Sequence, residues 1–155
     1  MHVIAGKAAG FGEALKDEFK VYSQNVVKNA KILSNTLIER GINIVSGGTD
    51  NHIVLVDLRN KRITGNNCEQ ALERAGITCN KNGVPFDETP PSITSGIRLG
   101  SSAATTRGLT ENDFKVLGNL ISDVICGFNN NISDSKIENE VNKKIIDICK
   151  KYPIY

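Results

Sequence analysis

The chain has 155 residues, of which 39% are hydrophobic and 23% are charged, a composition typical of one globular domain with its own core. Its 19 basic and 17 acidic residues are interleaved, which argues against a nucleic-acid or membrane surface. One mild lysine cluster near the end (Lys143, Lys144, Lys150, Lys151) is interpreted as a solvated helix face. No stretch reaches the roughly 18 consecutive apolar residues of a membrane span, and we see no signal peptide.

The first forty residues predict two helices. Residues 1–16 are rich in Ala and Gly and have no N-cap residue, from which we expect that the protein once began further upstream. Residues 18–40 have apolar side chains at steps of three or four, which predicts an amphipathic helix that ends before Gly41.

After residue 41 the pattern of apolar residues changes from one typical of helices to one typical of strands. A short strand is predicted over 42–45, and a nearly continuous apolar run over 52–58 predicts a central strand. A helix over 64–75 begins at the N-cap Thr64, and a further short strand follows over 77–79. Residues 80–92 hold three of the four prolines and predict a polar loop, which at this length is more often functional than filler.

The last third predicts one strand and two helices. Residues 93–100 indicate a strand interrupted by glycine, Thr110 opens an amphipathic helix, and a final helix stops before Pro153. The predicted order ααββαββαα indicates an α+β domain in which helices pack on a small sheet.

Cysteine usage points to a reducing compartment. The four cysteines are widely spaced and form no C-x-x-C pair (Cys68, Cys79, Cys126, Cys149). Without a secretory signal they indicate reduced, mostly buried thiols in a cytosolic protein. With only two histidines in the chain, a Cys/His zinc site has little to be built from.

Arg98 is the residue most suggestive of chemistry. It lies between Gly96 and Gly100 in a stretch of Ser and Thr, where small neighbours would let a substrate approach the backbone. Its guanidinium is a rigid fork suited to a carboxylate or phosphate. By spacing alone, an exposed strand arginine is the more common interpretation.

Two further groups could bind a ligand. Asn80, Lys81 and Asn82 follow a predicted strand end, where ligands often bind, although Asn and Gly also favour turns for conformational reasons. Arg107, between Thr106 and Gly108, is a weaker candidate for an anion contact.

Four segments closely resemble the serine hydroxymethyltransferase family. They are SGGTDNHIVLVDL (46–58), LERAGITCNKNGVPFD (72–87), TSGIRLG (94–100) and TTRGL (105–109). The resemblance extends over the whole chain but corresponds only to the C-terminal third of that enzyme.

The resemblance implies a pyridoxal-phosphate enzyme of the aspartate-aminotransferase fold (fold type I) that interconverts serine and glycine with tetrahydrofolate as cosubstrate. It implies that Arg98 binds the amino-acid carboxylate and that Asn82 contacts the folate. It also implies that Pro90, Pro91 and Ser92 line the folate site, although this stretch departs from the family's common S-P-F pattern.

The same resemblance implies that important parts are missing. The Schiff-base lysine, the stacking partners of the cofactor, the Asp at its ring nitrogen and a glycine pair near its phosphate would all lie upstream of Met1. Residues 1–40 would then bridge to a large cofactor-binding domain, and residues 41–155 would form the small C-terminal α+β domain. We expect a cytoplasmic homodimer for the complete enzyme and no activity for this chain alone. The alternative is a standalone, non-catalytic binding module from a split or decayed gene.

Overall fold

The computed structural model describes residues 1–154, and these form a four-stranded antiparallel sheet with helices packed on one side. The helices are α1 (His2–Ala14), α2 (Asp17–Glu39), α3 (Gly65–Arg74), α4 (Ser102–Thr106), α5 (Glu111–Cys126) and α6 (Ser135–Lys151). The strands are β1 (Asn43–Ile44), β2 (Ile53–Asp57), β3 (Asn80–Asn82) and β4 (Gly96–Gly100). This agrees with the predicted α+β class and, apart from the additional α4, with the predicted order of elements.

The sheet has the order β1-β2-β4-β3, so the apolar run at 52–58 forms a central strand as predicted. β2 pairs with β4 from Ile53 opposite Gly100 to Asp57 opposite Gly96. Because side chains alternate along a strand, one face of the sheet is apolar and covered by helices. Its residues are Ile44, Val54, Val56, Ile97 and Leu99.

The core lies between this covered face and helices α2, α3, α5 and α6. Helix α2 packs mainly against α5, where Gly118 lets the backbone of α5 approach Thr36. Phe114, which is fully buried, lies in the first turn of α5. That helix begins at the predicted cap, since Thr110 and Asp113 form a reciprocal capping box.

Helix α1 is different, because none of its residues is buried. Phe11 and Leu15 are 70% and 88% exposed, and α2 itself enters the core only from Val26 onward. The two predicted N-terminal helices are therefore present, but the first lies outside the packed core.

Three elements differ most from the sequence prediction. The strand predicted at 77–79 is wrong, because the backbone N–H of Ile77 bonds back to the Leu72 carbonyl at 2.8 Å to end α3, and pairing begins only at Asn80. The strand predicted from 93 begins at Gly96, since residues 93–94 bond to the start of α3 instead. Helix α4 was not predicted because five residues are too few to show an apolar period.

Among residues 1–154, no helix combines the length and hydrophobicity needed to cross a bilayer.

Candidate functional site

The face of the sheet that helices do not cover presents polar and charged side chains, whereas the helix-covered face is apolar. Strand alternation puts Leu55, Asp57, Asn80, Asn82 and Arg98 on this side. These residues are exposed or half-buried, whereas the residues next to Leu55 and Arg98 along β2 and β4 are buried. This polar, accessible sheet face with one arginine near its centre is therefore the candidate ligand surface.

Arg98 lies in the middle of β4, opposite Leu55 on β2 and Asn80 on β3. Its side chain is exposed, and no hydrogen bond or ion pair joins its guanidinium to another residue in the described part of the chain. All five of its N–H donors are therefore available to a ligand. A guanidinium in this state can bind a carboxylate through two parallel hydrogen bonds.

The second charge on this face is already neutralised. The Asp57 carboxylate accepts hydrogen bonds from Arg59 at 2.6 Å (Nη2) and 3.0 Å (Nε). These side-chain bonds hold the pKa of Asp57 below its ordinary value, against the opposing effect of burial. Arg98 is thus the uncompensated charge that the strands present on this side.

The two glycines that flank Arg98 have different roles. A Cβ on Gly96 would lie 2.5 Å from the Val56 carbonyl oxygen and 2.6 Å from Cγ1 of Val84, so the protein's own packing requires glycine there. A Cβ on Gly100 would meet only the His52 carbonyl, at 3.9 Å. The sequence interpretation that both glycines make room for a substrate therefore holds only for Gly100 on steric grounds.

The N-K-N segment is strand β3 and not part of a loop, which corrects the sequence prediction for residues 80–82. Asn80 is the direct neighbour of Arg98, and Asn82 pairs with Gly96, two residues earlier on β4. Asn82 is consequently a diagonal neighbour of Arg98 on the same face, a relation that typically separates two residues by about 7–8 Å. Its side-chain nitrogen donates to the Gly83 carbonyl at 2.7 Å.

Lys81 lies on the other side of the sheet. Its backbone N–H donates to Oε1 of Glu69 at 3.0 Å, and its Nζ lies 3.5 Å from Oε2 of the same residue. Strand alternation thus separates the two asparagines from the lysine between them.

Pro90, Pro91 and Ser92 are exposed in the connection from β3 to β4. The Pro90 carbonyl accepts from the backbone N–H groups of Ile93 (2.9 Å) and Thr94 (3.0 Å). Because Asn82 and Gly96 are paired, this connection leaves and rejoins the sheet at one place, the end of the sheet at which Asn82 lies.

Asp87 organises this connection, and the sequence interpretation missed it. Its carboxylate accepts five hydrogen bonds, from Val84, Thr89 and Ser95. Burial alone would raise the pKa of Asp87, but the bonds from Ser95 and Thr89 outweigh it and hold the pKa well below its ordinary range. An Asp two residues before a Thr is an Asx-turn signal, which could have indicated part of this role.

Arg107 is not available to an anion, which corrects the weaker of the two arginine hypotheses. Its Nη2 donates to the carbonyls of Tyr152 (2.6 Å) and Cys149 (3.2 Å), and its Nε also donates to Tyr152. It therefore binds the carbonyl end of α6, where cations are favoured.

The cysteines are all free, but only Cys68 is fully buried, and Cys126 is exposed. The expectation of mostly buried thiols is therefore wrong for Cys126. Burial raises the pKa of the Cys79 thiol to about 12 and that of Cys68 further still.

Comparison with known proteins identifies relatives of this chain. The sequence model of serine hydroxymethyltransferase matches residues 1–121. The chain belongs to the serine hydroxymethyltransferase family. It is 59% identical over 158 residues to the serine hydroxymethyltransferase of Bartonella tribocorum and 56% identical over 156 residues to that of Paramagnetospirillum magneticum. It is also 53% identical over 155 residues to the enzyme of Rickettsia massiliae.

Each of these alignments covers 100% of this chain but only 36–37% of the serine hydroxymethyltransferase it matches. The chain therefore spans little more than a third of the length of its relatives.

Serine hydroxymethyltransferases use pyridoxal phosphate, a cofactor that is attached to its enzyme through a lysine. Among the described residues, the strands place no lysine on the uncovered face, and Lys81 is paired with Glu69 on the other side. The acid that is present, Asp57, is held by Arg59. These residues do not fit covalent attachment of the cofactor, whereas the guanidinium of Arg98 fits an anionic group such as a carboxylate.

Proposed function

We propose that this chain acts as part of a complete serine hydroxymethyltransferase, in which it binds the two substrates rather than the cofactor. The reaction is the reversible conversion of serine and tetrahydrofolate to glycine and 5,10-methylenetetrahydrofolate. The observation that supports it best is Arg98, an exposed guanidinium without a protein partner among the described residues, centred on the sheet face that no helix covers.

Arg98 would hold the carboxylate of serine or glycine. Two parallel N–H···O bonds fix both the position and the plane of a carboxylate, which a lysine cannot do. The amino acid would thereby be oriented with its reacting carbon away from the sheet.

Asn82, Pro90, Pro91 and Ser92 would contact the folate. Asn82 shares the face of Arg98, and the three exposed residues belong to the connection that begins directly after it. The exposed prolines offer rigid apolar surface, and the Asn82 side chain offers a hydrogen-bonding group at the border of that surface.

We also propose the domain organisation that the resemblance implies. Residues 1–40 would bridge to a large cofactor-binding domain of a fold type I enzyme, and residues 41–155 would form its small domain. The lack of any buried residue in α1 supports a partner for the beginning of this region, while α2 from Val26 onward already packs into the small domain. A cytoplasmic homodimer belongs to the same proposal.

The test is a chimera in which residues 1–155 replace the corresponding third of the Paramagnetospirillum magneticum relative. The wild-type chimera should form glycine from serine only when tetrahydrofolate is supplied. Arg98→Lys should weaken serine binding by about 2–3 kcal/mol, roughly 30- to 140-fold, because the charge stays but the planar fork is lost. Arg40→Lys is the matched control, since Arg40 lies at the end of α2 and pairs with Asp123.

Unchanged serine affinity in Arg98→Lys would remove this arginine from the substrate site. Asn82→Ala should raise the KM for tetrahydrofolate and leave serine binding unchanged. The 155-residue chain by itself should show no serine cleavage. Turnover by that chain would contradict the proposal that it binds the substrates but not the cofactor.

A further inference from the structure

The connection between β3 and β4, residues 83–95, has an unusual backbone for a segment in which most residues are exposed or half-buried. Phe86 and Thr94 both have a φ of 58°, in the left-handed region that bulky and β-branched side chains rarely adopt. Phe86 is also 96% exposed, so packing of its ring does not hold this conformation. Strained backbone of this kind persists only where surrounding contacts determine it.

The Asp87 carboxylate supplies contacts beside both residues, since Asp87 follows Phe86 directly and binds Ser95, which follows Thr94. Oδ1 accepts from Thr89 Oγ1 and Ser95 Oγ, each at 2.7 Å, and from the Thr89 backbone N–H at 3.0 Å. Oδ2 accepts from the backbone N–H groups of Ser95 at 2.8 Å and Val84 at 3.2 Å. One side chain thus joins the beginning, the middle and the end of the connection.

This network is attached to the sheet and to a helix. The Ser95 carbonyl accepts from the Leu58 N–H at 2.9 Å, just past the end of β2. The carbonyls of Thr94 and Ile93 accept from the first N–H groups of α3, those of Gly65 and Asn66, each at 2.9 Å.

The three residues between these attachments are three of the four proposed folate contacts. Pro90, Pro91 and Ser92 lie after the Thr89 bonds to Asp87 and before the bonds from α3. Their position relative to Asn82 therefore depends on the attachments on either side. Asp87 has no remaining role as a direct ligand contact, because five donors already surround its two oxygens.

We propose that Asp87 is a positioning residue for the folate, which holds residues 83–95 in the form that presents Pro90–Ser92 beside Asn82. This inference rests on the proposed function of the chain. Asp87 does not touch the folate and acts through the backbone that it binds. A connection whose binding-competent form falls to a tenth of the molecules binds its ligand about tenfold more weakly.

The experiment compares Asp87→Asn with wild type in the chimera, using tetrahydrofolate and serine as separate ligands. Asp87→Asn keeps the shape of the side chain but replaces one acceptor by an NH₂ group that faces backbone donors. We expect the KM for tetrahydrofolate to rise about tenfold or more while kcat at saturating folate falls less than about threefold. The serine Kd measured without folate should change less than about twofold, because Arg98 is held by strand pairing.

Glu88→Gln is the matched control. It removes one negative charge from the next residue, whose side chain is exposed and makes no hydrogen bond within the described residues. Wild-type folate affinity in Glu88→Gln, combined with a loss in Asp87→Asn, would assign the effect to the hydrogen bonds rather than to charge. Equal losses in both variants would overturn the proposal.

Thr89→Val is a milder second variant, since it removes one hydroxyl donor and leaves the carboxylate in place. We expect a smaller rise in the folate KM, and faster amide hydrogen exchange in residues 83–95 but not in α5. Wild-type KM for folate in Asp87→Asn would refute the positioning role, as would equal losses of serine and folate affinity. A wild-type chimera that binds neither ligand would instead refute the proposed function itself.

Discussion

The ion pair between Arg74 and Glu138 joins α3 to α6 and offers a sharp test of how this fold is held together. Nε of Arg74 donates to Oε2 at 2.7 Å and Nη2 donates to Oε1 at 2.8 Å, a bidentate arrangement. The Glu138 side chain is only 5% exposed, whereas that of Arg74 is 53% exposed. Removal of the arginine would therefore leave a buried carboxylate without its main partner.

The expected loss for Arg74→Met follows from this asymmetry. Hydrogen bonds to charged groups contribute about 1.5–3 kcal/mol each, but water can reach the half-exposed arginine side, so we expect about 2 kcal/mol for the pair near neutral pH. Methionine keeps most of the apolar stem, which limits the loss of packing.

The pH dependence has a definite sign. The hydrogen bond from Arg74 lowers the pKa of Glu138 against the effect of burial. The ionised Glu138 carboxylate therefore stabilises the folded protein fully above the unfolded-state pKa of 4.5. This contribution is lost as the pH falls through the lower folded-state pKa. Without Arg74, burial would dominate and raise the pKa of Glu138, so the difference between variant and wild type should shrink on acidification.

The assay is urea unfolding followed by circular dichroism at several pH values between about 7 and 3, with the double variant Arg74→Met/Glu138→Gln completing a cycle. Lys150→Met is the control, because the Lys150–Asp147 pair has both side chains 71% exposed and should contribute less than about 0.5 kcal/mol. A loss below about 0.5 kcal/mol for Arg74→Met, or a loss independent of pH, would refute this reasoning.

Three further outcomes follow from the packing. Gly96→Ala should lower the free energy of unfolding, measured in urea, by about 3 kcal/mol, because its Cβ would lie 2.5 Å from the Val56 carbonyl oxygen. Gly100→Ala, measured in the same way, should change this free energy by less than about 0.5 kcal/mol. Phe114→Ala should cost about 3–5 kcal/mol in urea unfolding, since this ring is fully buried; a cost under about 1 kcal/mol would show that the core relaxes around it. Cys126 should react first with a thiol reagent in the folded protein, and Cys126→Ser should leave the stability unchanged, contrary to the loss expected if this residue lay on an apolar face.

Local signals in the sequence were sufficient to predict most of the helices. The apolar period of α2 and α5, the Thr110 cap and the glycine that ends α3 all act within one or two turns of the chain, so composition and spacing are enough to predict them. The strands near the site were harder. The pairing of β3 with β4 depends on where α3 ends in space, and the polar N-K-N segment has no apolar alternation that would predict a strand.

The candidate site, too, was only partly predictable from the sequence. The residue types around Arg98 suggested an anion site, and the resemblance to serine hydroxymethyltransferases singled out Arg98 and Asn82, without reference to coordinates. Whether these two side chains share a face could not be known, because that depends on a register in which Asn82 pairs with Gly96. Arg107 had the same residue chemistry as Arg98, yet it binds the carbonyl end of a helix more than forty residues away.

The sequence by itself therefore determined the α+β class, the family, most helices and the central strand, because each rests on short-range periodicity, capping or long specific motifs. Only the tertiary structure decided which polar groups are free and which are used by the fold. Arg107 binds carbonyls that folding brings to it from more than forty residues away, the Asp57 and Asp87 carboxylates accept from nearby residues held in place by the fold, and Arg98 has no partner among the described residues. Hydrogen bonding and burial depend on contacts across the fold, and these exist only once strands and helices have packed.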